Sequence, residues 1–126
     1  MDVTSIGVDI CDIERIGNLE ENQGARFLQK VFTSREIEYC AKKVTKHASY
    51  AARFAAKEAL LKALGTGLRD GFLWKDIEVK NDDLGKPFFE FYGKTAEIIS
   101  DRKVHLSISH TDRDAIAFVI IEGDPF

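Results

Sequence analysis

The stretch Arg53-Phe54-Ala55-Ala56-Lys57-Glu58-Ala59-Leu60-Leu61-Lys62-Ala63-Leu64-Gly65 decides how this chain folds. Its apolar, alanine-rich composition predicts a helix that is buried on more than one side. At about 100° per residue, Glu58 and Lys62 fall in one sector, while Leu60 and Leu64 lie roughly opposite. Charged groups rarely lie in such a helix without a partner. Glu58 and Lys62 are therefore candidates for chemistry.

The same two residues have an ordinary alternative interpretation. Glu58 and Lys62 are four residues apart, and such pairs stabilise exposed helices by only about 0.2–0.5 kcal/mol. The helix alone leaves an active site and a surface ion pair equally open, so the evidence must come from outside it.

Composition limits the classes of protein that this chain fits. Its 126 residues suit one domain, 1–126, and a hydrophobic share of 44% is enough for a core. A net charge of −3 argues against nucleic-acid binding. No apolar run reaches the roughly 18 residues of a membrane span, and the acidic N-terminus does not resemble a signal peptide. Cys11 and Cys40 lack metal-site spacing, which favours free thiols in the cytoplasm.

Periodicity and capping signals predict alternating helices and strands. A capping box at Thr33–Glu36 begins one helix, and Gly65 ends the long one. The expected elements are a strand over 3–10, helices over 13–19, 26–32 and 33–43, the long helix from Ala48 or Ser49 to 65, strands over 76–80 and 88–92, a helix over 94–102, and strands over 104–109 and 115–121. This order predicts an α+β fold, with a mainly antiparallel sheet packed against a long central helix.

The first strand carries a candidate carboxylate. Its alternation predicts that Ile6, Val8 and Ile10 form the core face and that Asp9 projects from the opposite side. Gly7, beside it, would leave room for a ligand. Asp9 and Glu58 then supply two carboxylates from separate elements, as Mg²⁺ commonly requires.

Further motifs follow the same order as those of a known family. In chain order they are Ile6-Gly7-Val8-Asp9-Ile10, Phe32-Thr33-x-x-Glu36, the helix segment quoted above with Thr66-Gly67, Asp76-Ile77-Glu78-Val79, Gly85-Lys86-Pro87 and Ser107-Ile108-Ser109-His110-Thr111. With them the chain resembles the 4′-phosphopantetheinyl transferases, most closely their small holo-[acyl-carrier-protein] synthase type, over nearly its whole length.

The resemblance implies a transferase of fatty acid biosynthesis. Coenzyme A would donate its 4′-phosphopantetheine arm to a serine of acyl carrier protein, releasing adenosine 3′,5′-bisphosphate. Asp9 and Glu58 would hold Mg²⁺, and Lys62 would neutralise charge on the breaking pyrophosphate bond or protonate the leaving group. Either Glu58 or a water on the metal would take the serine proton.

Other residues receive roles from the same resemblance. The residues expected to contact coenzyme A are Arg53, Lys62, Gly65, His110 and Thr111. Lys57 is equally open to a phosphate contact and to a solvated helix edge. His105 either lines a pocket or faces solvent.

The resemblance also implies two kinds of protein contact. Acyl carrier proteins are acidic, so Arg15 and Arg26 are expected to receive one, whereas Lys30 is expected to be ordinary surface charge. The small type is a homotrimer with its active sites between subunits. Two rival hypotheses remain: another Mg²⁺-dependent phosphotransferase or phosphohydrolase using the same carboxylates, and a non-catalytic interaction module.

Overall fold

In the computed structural model, which describes residues 2–68 and 71–126, helices and strands follow the predicted order. They are β1 Val3–Asp12, α1 Ile13–Gln23, α2 Ala25–Val31, α3 Ser34–Ala41, α4 Lys46–Leu64, a 3₁₀ turn Trp74–Asp76, β2 Ile77–Asn81, β3 Pro87–Phe91, α5 Gly93–Ile99, β4 Lys103–His110 and β5 Asp114–Glu122. The predicted α+β class is confirmed. The sequence did not predict the 3₁₀ turn.

The strands form two antiparallel sheets. One sheet has the order β1-β5-β4, and the other pairs β2 with β3. Helix α4 packs mainly across β1 and β5 and also contacts β2. Alanines along α4 are fully buried, among them Ala55, Ala56 and Ala59. Their small side chains let the helix lie close to its neighbours.

The face of β1 that meets α4 is the opposite of the predicted one. Ile6, Val8 and Ile10 are 60%, 48% and 64% exposed, so their assignment to the core of this chain is wrong. Gly7 is buried, and a Cβ built on it would lie 2.0 Å from the carbonyl oxygen of Ala59. This glycine leaves room for the helix backbone rather than for a ligand. Alternation tells which residues share a face but not which face is covered.

Helix ends follow the sequence signals. In the predicted capping box, Glu36 donates its backbone N–H to Thr33 Oγ1 at 3.2 Å, and Thr33 donates its own to Glu36 Oε1 at 2.9 Å. Gly65 ends α4 in the left-handed region, with φ 75°. An unpredicted cap lies at Asp12, whose carboxylate accepts from the backbone of Glu14 and Arg15. That cap starts α1 directly after β1.

A buried ion pair joins α4 to the elements around it. Lys57 and Glu36 have fully buried side chains, with 2.7 Å between Lys57 Nζ and Glu36 Oε1. The ammonium also donates to the backbone oxygens of Val31 at 2.7 Å and Trp74 at 3.2 Å. Burial lowers the pKa of Lys57, and the Glu36 charge opposes that shift. Both sequence-based interpretations of Lys57, a phosphate contact and a solvated edge, are therefore wrong.

No helix among the described residues is long and apolar enough to cross a lipid bilayer.

Candidate active site

Asp9 and Lys62 meet where β1 passes the last turns of α4. Lys62 Nζ donates to Asp9 Oδ1 at 2.9 Å and to the carbonyl oxygen of Val8 at 3.1 Å. This contact depends on Gly7, which lets the helix approach the strand just before Asp9. Lys62 thus pairs with the strand carboxylate, although half of its side chain stays exposed.

Glu58, one turn before Lys62, lies close enough to Asp9 for the charge of Asp9 to affect the pKa of Glu58. Burial is the larger cause of a raised pKa at Glu58, and the negative charge of Asp9 raises it further. Lys62 and Arg15 oppose the shift without cancelling it. The pKa of Glu58 is therefore raised chiefly because its carboxylate is partly removed from water, and a cation bound beside it would favour the ionised form.

The donor set fits magnesium held jointly with a substrate. Within residues 2–68 and 71–126, no cluster of three or more His, Cys, Asp or Glu side chains could hold a metal by itself. Two carboxylates are nevertheless what Mg²⁺ commonly takes from a protein, with phosphates and waters supplying the remaining oxygens. Asp9 and Glu58 would hold the ion, and an exposed ammonium beside them suits a phosphate-bearing substrate.

A second concave site lies around Arg53, in the N-terminal half of α4. This cavity has a volume of about 330 Å³, and Arg53 lines it together with Tyr39, Lys43, Asn81 and His110. Arg53 donates to Asn81 Oδ1 at 2.5 Å, and its guanidinium lies 4.4 Å from the centre of the Tyr39 ring. Lys43 also lies over that ring, at 4.6 Å. Two cations therefore flank one aromatic ring inside the cavity.

Arg53 keeps a donor that the described protein atoms do not satisfy. Arg53 is only 5% exposed, and its Nε has no hydrogen-bond partner among the described residues. Buried polar groups are normally bonded, so an unbonded one in a cavity indicates a ligand or an ordered water.

The hairpin of β4 and β5 contributes His110 to the lining of this cavity, whereas the side chain of Thr111 forms hydrogen bonds within the hairpin turn. His110 Nδ1 lies 3.1 Å from the carbonyl oxygen of Thr111. The Thr111 hydroxyl accepts the backbone N–H groups of Arg113 and Asp114, both at 3.1 Å. At Gly65, the position of an absent Cβ is open space among the described residues. The structure thus brings Arg53 and His110 together, while Gly65 lies at the Lys62 end of α4.

The remaining predicted residues lie on the surface. Arg15 is exposed and close enough to Glu58 to affect its pKa, whereas Arg26 is exposed on α2. His105 points away from α4, and its Nε2 lies 2.6 Å from Glu122 Oε1. It faces outward and does not line the Arg53 cavity.

Sequence reasoning missed part of the cavity around Arg53. Tyr39, Lys43 and Asn81 come from the end of α3, the following loop and the end of β2. The segment 41–49 suggested no function. The spacing of Tyr39 and Lys43 is a weak signal, because only the packing of α3 against α4 brings them to Arg53.

Comparison with known proteins identifies the family. Residues 5–119 match the 4′-phosphopantetheinyl transferase superfamily. The chain belongs to this superfamily. Its relatives in the superfamily include the holo-[acyl-carrier-protein] synthase of Syntrophus aciditrophicus, 48% identical over 96% of this chain and 97% of that protein. The synthase of the same name from Clostridium tetani is 49% identical over 97% of this chain and 98% of its own length.

Solved structures of superfamily members agree with the fold. The holo-[acyl-carrier-protein] synthase of Neisseria meningitidis superposes with a TM-score of 0.87 at 34% identity, covering 97% of this chain and all of that one. The enzyme of Helicobacter pylori, solved in complex with coenzyme A, gives a TM-score of 0.83 at 30% identity, covering 93% and 99%.

Proposed function

We propose that this chain transfers the 4′-phosphopantetheine arm of coenzyme A to a serine of apo acyl carrier protein, releasing adenosine 3′,5′-bisphosphate, for fatty acid biosynthesis. The observation that carries the proposal is the meeting of Asp9, Glu58 and Lys62 between β1 and α4, in a chain whose relatives are named for this activity. A non-catalytic module gives no reason to keep the partly buried carboxylate of Glu58 near Asp9, where its pKa is raised. Residues 1–126 act as one domain.

Asp9 and Glu58 hold Mg²⁺ in this proposal. When bound, the ion supplies Lewis-acid activation of the phosphate under attack and fixes its orientation. The raised pKa of Glu58 supports this assignment, because a divalent cation would relieve the repulsion from Asp9.

Lys62 stabilises the charge that develops on the leaving phosphate. Its ammonium is exposed on one side and held by Asp9 and the Val8 carbonyl on the other, so its position is fixed while donors remain free for substrate. Either Glu58 or a water on the metal accepts the serine proton. Phosphoryl transfer depends chiefly on positioning and charge neutralisation, so a weak base is sufficient.

The nucleotide part of coenzyme A occupies the Arg53 cavity. The guanidinium of Arg53 lines this cavity and supplies positive charge for a phosphate, and His110 supplies a second polar group. Gly65 and Thr111 contact the same substrate, Gly65 through the open space beside its Cα.

A homotrimer with active sites between subunits completes the proposal. Lys62 follows Arg53 by nine residues, or about 13 Å of helix, and Glu58 is rotated from Arg53 by about 140°. A pyrophosphate and the nucleotide attached to it do not readily bridge that separation on one chain. A second copy would supply the missing half, and the exposed apolar face of the β1-β5-β4 sheet is a surface on which copies can pack.

The decisive experiment is a mass measurement on purified apo acyl carrier protein incubated with this protein, coenzyme A and Mg²⁺. The added mass of phosphopantetheine is expected with the metal and not with a chelator. A carrier protein of unchanged mass would overturn the proposal. The free thiols of Cys11 and Cys40 suit the reducing cytoplasm in which we place the reaction.

Arg15 and Arg26 contact the acidic carrier protein. Reversing the charge in Arg15→Glu is expected to raise the KM for carrier protein and leave the KM for coenzyme A unchanged. Arg35→Glu, at an exposed arginine on α3, is the matched control. An equal loss of coenzyme A affinity in Arg15→Glu would show that Arg15 serves the donor substrate instead.

A further inference from the structure

Arg53 is a buried cation without a counter-charge in the described part of the chain. The residue is 5% exposed, and no described aspartate or glutamate forms an ion pair with it. The other buried cation of α4, Lys57, is paired with Glu36. Burying an unpaired charge is costly, so the cavity beside Arg53 is suited to an anion that completes the pair.

The guanidinium of Arg53 is held in place by neutral groups. Its Nη2 donates to Asn81 Oδ1 at 2.5 Å, and its Nη1 donates to Ser49 Oγ at 3.2 Å. The centre of the Tyr39 ring lies 4.4 Å from the guanidinium carbon. The two hydrogen bonds use two of the five N–H donors of an arginine side chain, and neither acceptor carries a negative charge. The group is therefore fixed in position while its charge stays available.

Asn81 is itself oriented by the turn between β2 and β3. Its Nδ2 donates to the carbonyl oxygen of Gly85 at 3.0 Å, which directs its Oδ1 toward Arg53. The next residue, Asp82, accepts two backbone N–H groups of the same turn through its side chain. A carboxamide can donate to a carbonyl and accept from a guanidinium without carrying charge. An aspartate of nearly the same shape would lose the donor and bring a negative charge to Arg53.

We propose that Asn81 is a positioning residue for the donor substrate: it fixes the guanidinium of Arg53 in the cavity and, being neutral, leaves the positive charge for a phosphate of coenzyme A. A carboxylate at this position would hold the guanidinium equally well and would take the place of the phosphate as its counter-ion. The inference rests on the proposed function, because it takes the phosphate-bearing ligand from that reaction.

Asn81→Asp is the central test, with isothermal titration of coenzyme A and of adenosine 3′,5′-bisphosphate into the intact protein. Both dissociation constants are expected to rise about tenfold or more, the effect of losing one charge-assisted contact. The Tm is not expected to fall, because the new carboxylate pairs with a buried cation. In steady-state transfer, the KM for coenzyme A rises, whereas kcat and the KM for carrier protein stay unchanged.

Two further variants separate charge from packing. Asn22→Asp makes the same substitution at an exposed asparagine of α1 outside the cavity lining, and it is expected to leave both dissociation constants unchanged. Asn81→Ala removes both hydrogen bonds of the amide without adding charge. It is expected to raise the dissociation constants less than Asn81→Asp does and to lower the Tm, and it tests the positioning role even if the aspartate variant does not fold.

The outcomes distinguish this inference from the function on which it rests. A wild-type protein that neither binds coenzyme A nor transfers phosphopantetheine contradicts the proposed function. Wild-type transfer with unchanged donor affinity in Asn81→Asp overturns the role of Asn81 alone. A loss of affinity in Asn81→Asp that is matched by a fall in Tm also overturns it, because the residue would then support only the fold.

Discussion

Two adjacent residues of α4, Lys57 and Glu58, show how strongly position determines the fate of a charge. A step of about 100° around the helix separates them. Lys57 points into the protein, where Glu36 and two backbone carbonyls satisfy its ammonium. Glu58 lies near Asp9, another negative charge, and the pKa of Glu58 is raised. The first charge holds the fold together, and the second is available for binding and chemistry.

Removing the buried ammonium alone is expected to destabilise the protein strongly. Lys57→Met leaves Glu36 buried without its counter-charge, and breaking such a pair costs about 3–5 kcal/mol of unfolding free energy. Urea denaturation measures the loss. The double variant Lys57→Met/Glu36→Gln, which keeps an acceptor for the capping box, is expected to recover part of it because neither position then carries a buried charge. A single variant as stable as the wild type would contradict this role.

Glu58→Gln is expected to keep the fold and lower turnover about 100-fold or more, the usual effect of losing a proton acceptor. Steady-state kinetics measure the change, and near-normal turnover would show that Glu58 is not part of the site.

In metal-free protein, the raised pKa of Glu58 means that ionising this residue opposes folding. The wild type is therefore expected to lose stability relative to Glu58→Gln as the pH rises from 4.5, the ordinary glutamate value, through the raised folded value. Thermal unfolding of the two proteins across this pH range measures the difference in stability.

At the scale of elements, the site exists because α4 and β1 pack unusually closely. Gly7 has no side chain to separate them, and the Ser5 hydroxyl donates to the backbone oxygen of Ala63 at 2.5 Å. The same close packing brings Lys62 to Asp9. The close packing of the strand on the helix and the contact between Lys62 and Asp9 thus have one cause.

Gly7→Ala is expected to destabilise the protein by about 1–3 kcal/mol or more, since the added methyl group would meet the backbone of α4. It should also move Asp9 away from Lys62 and lower turnover in the folded fraction. Denaturation and kinetics on the same sample separate the two effects. Ser5→Ala, which removes a single hydrogen bond at the same interface, is the control and should retain turnover. A fully active, stable Gly7→Ala protein would contradict this account.

At the scale of the whole molecule, the β1-β5-β4 sheet packs one face on α4 and leaves the other face exposed. The exposed face carries Ile6, Val8 and Ile10 from β1 and Ile116 and Phe118 from β5. The polar row of β4, which includes His105 and Ser107, borders this apolar surface. A continuous apolar face of this kind is expected at an interface between subunits.

Ile6→Asp and Phe118→Asp are expected to convert the proposed trimer to monomers, because a carboxylate would be buried between subunits without a partner. Sedimentation at micromolar concentration measures the assembly, and circular dichroism should show an intact fold. Transfer activity is expected to fall in parallel, since each active site of the proposed trimer would draw on two copies. Leu84→Asp, at a leucine that is 95% exposed on the β2–β3 turn, is the control. A wild type that sediments only as a monomer would contradict the trimer.

The sequence by itself determined the order and type of the helices and strands and the caps at Thr33 and Gly65, and it predicted Asp9 and Glu58 as a pair of metal ligands. These follow from local periodicity, local hydrogen bonds and motif spacing, which need no knowledge of packing. Only the tertiary structure decided which face of β1 meets α4. The alternation of side chains along a strand groups them into two faces but does not tell which face is buried. The tertiary structure also decided that Lys57 is buried with Glu36, since the two residues lie in different helices. The cavity around Arg53 has the same origin, because contacts between segments distant in sequence create it.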